Sequence, residues 1–76
     1  MSTPVLYLVV PCYNEQEVLA DTADKLERKL RQLMDAGKVG AKSRIAFVND
    51  GSRDRTWELI RRCTEHSPLF SGINLA

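Results

Sequence analysis

Two apolar runs, each cut off abruptly by polar residues and each followed by a helical pattern, constrain this chain more than any other feature. The first is VLYLVVPCYNE, Val5 to Glu15, and the second is IAFVNDGS, Ile45 to Ser52. Short continuous runs rich in branched residues read as strands of a parallel sheet, buried on both faces. Between them Leu19, Ala23, Leu26, Leu30 and Leu33 recur at spacings of three and four, the single apolar stripe of a helix predicted over 15–36. A second helix is predicted from Asp54 to His66, with Trp57, Ile60 and Thr64 on one face. Gly72 to Ala76 reads as the start of a third strand. The order is β-α-β-α-β, which implies a parallel sheet with right-handed crossovers. Strands added one after another in the same direction put both helices on one face and leave the other bare. A bare face on strands that read as doubly buried predicts an incomplete domain, or one with a partner.

Local signals punctuate this plan. Pro4 opens the first strand, and Pro11 is expected to end it because proline cannot donate to the ladder. Asn14 is a candidate N-cap of the first helix, with Glu17 completing a capping box. Gly37 suits the left-handed position after that helix. Gly51 allows a tight turn, Ser52 or Asp54 can cap the second helix, and Pro68 stops it.

Composition excludes several functional classes. A net charge of +1 leaves no broad basic field for nucleic acid. Arg28, Lys29, Arg31, Arg61 and Arg62 read as solvated helix faces. Cys12 and Cys63 are the only cysteines. They make neither a zinc cluster nor a disulfide scaffold, so both are expected to be reduced. No segment reaches the ~18 apolar residues of a membrane span, and the N-terminus lacks the marks of a signal peptide. The chain therefore reads as cytoplasmic and soluble, or as a piece of something membrane-bound.

In a parallel sheet both strand exits lie at the carboxyl edge, where open α/β proteins bind ligands. Tyr13, Asn14, Glu15 and Asp50 are therefore candidates for one site. Neither of the Gly-rich phosphate loops is present. Tyr13 can stack on a base or sugar, and Glu15 or Asp50 can accept hydrogen bonds from ribose hydroxyls or a base imide. Backbone N–H groups at the start of the first helix are expected to favour an anion. Together these suit a nucleoside diphosphate.

PCYNE after the first strand and VNDGSRDRT after the second resemble the opening of family 2 glycosyltransferases, whose nucleotide-sugar-binding domain has the GT-A fold. The pattern P-x-Y-N-E matches at Pro11, Tyr13, Asn14 and Glu15. The pattern D-G-S-x-D-x-T matches at Asp50, Gly51, Ser52, Asp54 and Thr56. The resemblance implies an α/β fold of Rossmann-like, three-layer type. It places Pro11, Tyr13 and Glu15 along the nucleoside of a donor, Glu15 near the ribose, and Asp50 on the base edge or ribose. Asn14 is given a structural role as cap. Ser52, Asp54 and Thr56 are expected to shape the turn and cap the second helix, and Arg53 and Arg55 to lie at the surface. PCYNE-x-E-V-L and the closing INLA most resemble enzymes that move a sugar to a polyprenyl phosphate. For the full-length protein this implies transfer of a hexose from a UDP- or GDP-linked sugar at the cytoplasmic face of a membrane. Such enzymes use Mg²⁺ or Mn²⁺ at a D-x-D-like motif and a later carboxylate as base. No D-x-D occurs in this chain, so no catalytic or metal residue is expected in it. Residues 1–76 then read as the N-terminal part of an incomplete domain, inactive alone and prone to self-association. The contrary reading is a small non-catalytic α/β interaction or signalling module. Against a receiver-like module, the first strand ends in Pro-Cys-Tyr where paired acidic residues would be needed.

Overall fold

The computed structural model describes residues 3–75, so Met1, Ser2 and Ala76, the last of these assigned above to the third strand, lie outside the described residues. In chain order the elements are β1 (Tyr7–Cys12), α1 (Leu19–Asp35), β2 (Arg44–Asn49), α2 (Thr56–His66) and β3 (Phe70–Asn74). The strands form one sheet in the order β1-β2-β3. Both pairs are parallel, with Cys12 beside Asn49 and Asn49 beside Asn74 at the carboxyl edge. This is the Rossmann-like β-α-β-α-β order that the alternation of patterns predicts.

Side chains along each strand alternate between two unlike faces. Cys12, Ile45, Phe47 and Phe70 are buried, with Leu8 and Val10 packed against them. Leu19, Ala23 and Leu30 of α1 and Ile60 of α2 close this core from the helix side. Phe47 and Phe70 stack with ring centroids 5.5 Å apart. On the other face Tyr7 is 63% exposed, Val9 66% and Ile73 49%. Both helices therefore cover one face, as the topology requires, and β1 is not buried on both faces as its composition implies. The apolar character of β1 reflects a surface that the described residues leave open.

Three local expectations are corrected. Pro11 lies inside β1 rather than ending it. The carbonyls of Leu6 and Cys12 accept hydrogen bonds from Arg44 and Asp50 on the β2 side. By alternation Pro11 then faces the free edge, where its missing N–H costs no ladder bond. The first helix begins at Leu19, not near residue 15, because residues 16–18 form a turn in which the N–H groups of Val18 and Leu19 both donate to the Glu15 carbonyl. Its N-cap is Val18, without a side-chain cap, so the box proposed for Asn14 and Glu17 does not form. The other end is as expected. Gly37 has φ +71°, its N–H donates to Met34, and the N–H of Lys38 donates to Leu33, the paired bonds of a Schellman motif.

The basic residues of the helices are largely partnered on the surface. Lys25 pairs with Asp21, Arg28 with Asp24 and Arg31 with Glu27, each one turn apart, and Arg62 pairs with Glu58. Exposed pairs of this kind contribute about 0.3–0.5 kcal/mol each. They solubilise the helices and leave no concentrated basic patch on them.

Candidate functional site

The carboxyl edge is where the two strand exits meet. The last ladder bond of β1 and β2 runs from the Asp50 N–H to the Cys12 carbonyl at 3.0 Å. Asp50 therefore sits beside Tyr13, the next residue after Cys12. The Gly51 turn that follows has φ +70°, a conformation glycine adopts without cost.

Beyond that point the two loops are fastened by side chains of each reaching the backbone of the other. The N–H of Asn14 donates to Ser52 Oγ at 2.9 Å, that of Glu15 to Thr56 Oγ1 at 2.8 Å, and that of Gln16 to Asp54 Oδ2 at 3.2 Å. In return the N–H of Arg53 donates to Asn14 Oδ1 at 2.9 Å, and that of Arg55 to Gln16 Oε1 at 3.1 Å. Asn14 adopts φ +49°, a left-handed conformation that asparagine tolerates better than most residues. Its side chain serves the β2–α2 loop rather than α1. Asp54 also accepts from the Thr56 N–H at 3.0 Å and from the Thr56 hydroxyl, two bonds within its own loop, while bridging to the first loop. The N-cap of α2 is Arg55, without a side-chain cap, so Asp54 does not take the N-cap position expected of it. Ser52 holds Asn14 and makes no cap for α2.

This pattern occupies the amides at the predicted start of the first helix, near residue 15, where an anion was expected. The N–H groups of residues 14–16 are already matched by Ser52, Thr56 and Asp54, and the Asp54 carboxylate is itself the anion there.

Among the residues named from the sequence, Pro11, Tyr13 and Asp50 are exposed and Glu15 is half-buried. Their side chains take no part in the clamp. Glu15 stands in the wall of two hollows. One, of about 410 Å³, is bordered by Asn14, Gln16, Glu17, Val18 and Asp54. The other, of about 180 Å³, is bordered by Pro11, Cys12, Val18 and Leu19. A further hollow of about 330 Å³ between the helices reaches Cys63, His66 and Phe70, and none of the candidate site residues lines it. Gln16 is the clamp residue that sequence reasoning missed. Its partners lie almost forty positions away, and nothing in its local pattern marks it.

Hydrogen bonds from the Thr56 hydroxyl, then from the backbone of Thr56 and Gln16, hold the Asp54 carboxyl below the usual aspartate range. Glu58 is lowered by Arg55, and Glu27 by the Ser67 hydroxyl and then by Arg31. A carboxyl whose folded value is depressed contributes stability that is present above its unfolded value, roughly 4, and lost as pH falls through the folded value. The melting temperature is therefore expected to fall as the pH drops below about 4, and less steeply in Asp54→Asn. Equal slopes in the two proteins would remove Asp54 as a source of acid sensitivity. Burial raises both the Cys12 and the Cys63 thiols, and both are free, which suits structural cysteines.

Among the described residues no group of three or more His, Cys, Asp or Glu side chains could hold a metal ion. No described helix is long and apolar enough to cross a membrane.

Comparison with known proteins gives the same reading as the two motifs. The chain is 41% identical over 75 residues to the uncharacterized glycosyltransferase YkoT of Bacillus subtilis (strain 168), covering 99% of this chain and 22% of that protein. It is 41% identical over 76 residues to the uncharacterized glycosyltransferase YkcC of the same organism, covering 99% of this chain and 21% of that protein. The chain thus spans about a fifth of the length of these curated relatives. Residues 7–76 match the family described as glycosyl transferase family 2, a span that includes both strand exits and the clamp between them. The chain belongs to glycosyl transferase family 2, rather than to an unrelated family of small α/β interaction or signalling modules.

Proposed function

We propose that the carboxyl edge binds the nucleoside part of a nucleotide-sugar donor, UDP- or GDP-linked, and that the whole protein transfers a hexose from it, with a polyprenyl phosphate as acceptor. The observation that carries the donor reading is the interlocked pair of exits, which sets Asp50 beside Tyr13. In this reading the exposed Tyr13 ring stacks on the nucleoside, and Pro11 flanks it. Glu15 accepts from the ribose, and Asp50 accepts from the base edge or ribose. The acceptor rests on the PCYNE-x-E-V-L spelling and the closing INLA alone. We assign the divalent cation, Mg²⁺ or Mn²⁺, to the whole protein. The described residues hold no cluster of His, Cys, Asp or Glu that fits one.

Calorimetry of UDP and GDP on the full-length protein tests the donor reading through Asp50→Ala. A hydrogen bond to a charged group contributes about 1.5–3 kcal/mol, so affinity is expected to fall roughly 10- to 100-fold. Wild-type affinity in that variant would remove Asp50 from the site. The bare sheet face carries a second expectation. Alone, the 76-residue chain exposes Tyr7 and Val9 of β1, at a free sheet edge, and Ile73 of β3 on the same bare face, and it is expected to self-associate. A single monomeric species in sedimentation at high concentration would refute this.

A further inference from the structure

Three of the five motif residues of the second exit direct their side chains to the backbone of the first exit. Ser52, Asp54 and Thr56 accept hydrogen bonds from three successive N–H groups, at residues 14, 15 and 16. Asn14 and Gln16 return the bonds to residues 53 and 55. Five bonds join segments 38 to 41 positions apart in the chain. Among the candidate site residues, the polar side chains that stay outside the clamp are those of Tyr13, Glu15 and Asp50.

We propose that Asn14, Gln16, Ser52, Asp54 and Thr56 are positioning residues that hold Tyr13, Glu15 and Asp50 as one preformed nucleoside platform, with the Asp54 carboxylate filling the place a ligand phosphate would take ahead of α1. The proposal rests on the nucleotide-sugar reading above and adds two consequences. A donor diphosphate is met by groups other than the amides of residues 14–16. The central contact is the Thr56 hydroxyl, because it alone receives an N–H from the first loop, at Glu15, while donating to a side chain of its own loop, Asp54. Thr56 is buried, so Glu15 loses its partner outright when that hydroxyl is removed. Binding then has to order two loops that are otherwise ordered in advance.

The test uses the full-length protein with Thr56→Val, which keeps the shape of the side chain, and Thr56→Ser, which restores the hydroxyl. Hydrogen exchange by mass spectrometry over residues 14–16 is expected to quicken in Thr56→Val and to return toward wild type in Thr56→Ser. UDP or GDP affinity is expected to weaken roughly tenfold in the first and recover in the second. If Thr56→Val loses its cooperative melt, Gln16→Ala carries the same two readouts, since the Gln16 side chain is exposed and outside the core. Unchanged exchange or unchanged affinity in folded clamp variants, with affinity still lost in Asp50→Ala, overturns the clamp and leaves the nucleotide site standing. Failure of both UDP and GDP to bind the wild-type protein overturns the nucleotide reading and the proposal with it.

Discussion

Phe47→Ala is expected to remove a large share of the stability of this chain. Phe47 lies in the central strand and is fully buried, and its ring stacks on Phe70 with 26° between the planes. Truncating a buried phenylalanine costs about 3–5 kcal/mol, through lost transfer energy and the cavity left behind. A chain of 76 residues has a total stability of about 4–11 kcal/mol at the usual 0.05–0.15 kcal/mol per residue. The substitution therefore takes between about a quarter of that stability and all of it. Val9→Ala is the control, because Val9 is equally apolar but lies on the bare face, where the expected change is within about 0.5 kcal/mol. Urea unfolding followed by circular dichroism, at concentrations low enough to avoid association, separates the two. A loss below about 1 kcal/mol for Phe47→Ala would mean that the helices do not close on this ring as described.

The contrast between Phe47 and Val9 also marks how far sequence reasoning reached. Both lie in apolar runs that announce a strand, and composition alone cannot tell which is covered. Topology could, because two crossovers in one direction leave one face free. The end of α1 was readable at Gly37, where the necessary φ and the stop in periodicity coincide. The start of α1 was not. Asn14 has the composition and the spacing to Glu17 of an N-cap, but its partners are Ser52 and Arg53. A local pattern carries no information about bonds that form only after the sheet has brought two loops together. Pro11 misled for a related reason: whether proline ends a strand depends on which side of the ladder it faces. The candidates Tyr13, Glu15 and Asp50 were named from their place after each strand, and Pro11 from the family resemblance alone. Gln16, belonging to neither motif, was not named.

Gly72 joins packing to the site, and its replacement carries the second large effect. An added Cβ would lie 2.7 Å from Ile60 Cγ2 and 3.2 Å from Trp57 Cζ3. The nearer atom is a branch methyl on a fully buried helical residue, where χ1 is stiff. Relief therefore requires α2 to move off β3 rather than one side chain to turn. Gly72→Ala is expected to cost about 1–3 kcal/mol by overpacking, and Gly72→Val more. The displacement has a second readout, because Thr56 begins α2 and holds the Glu15 N–H at 2.8 Å. Exchange at residues 14–16 is expected to quicken in Gly72→Ala although that residue is remote from both loops in sequence. Ile60→Leu removes the branch methyl at nearly constant volume, a change that alone costs less than about 1.5 kcal/mol. The double variant Gly72→Ala, Ile60→Leu is then expected to be more stable than the sum of the two single losses, with a coupling of at least about 0.5 kcal/mol. Additive losses would show that the strain at Gly72 is relieved elsewhere. In that case α2 would keep its seat on β3, and the clamp would be insulated from the packing beneath it.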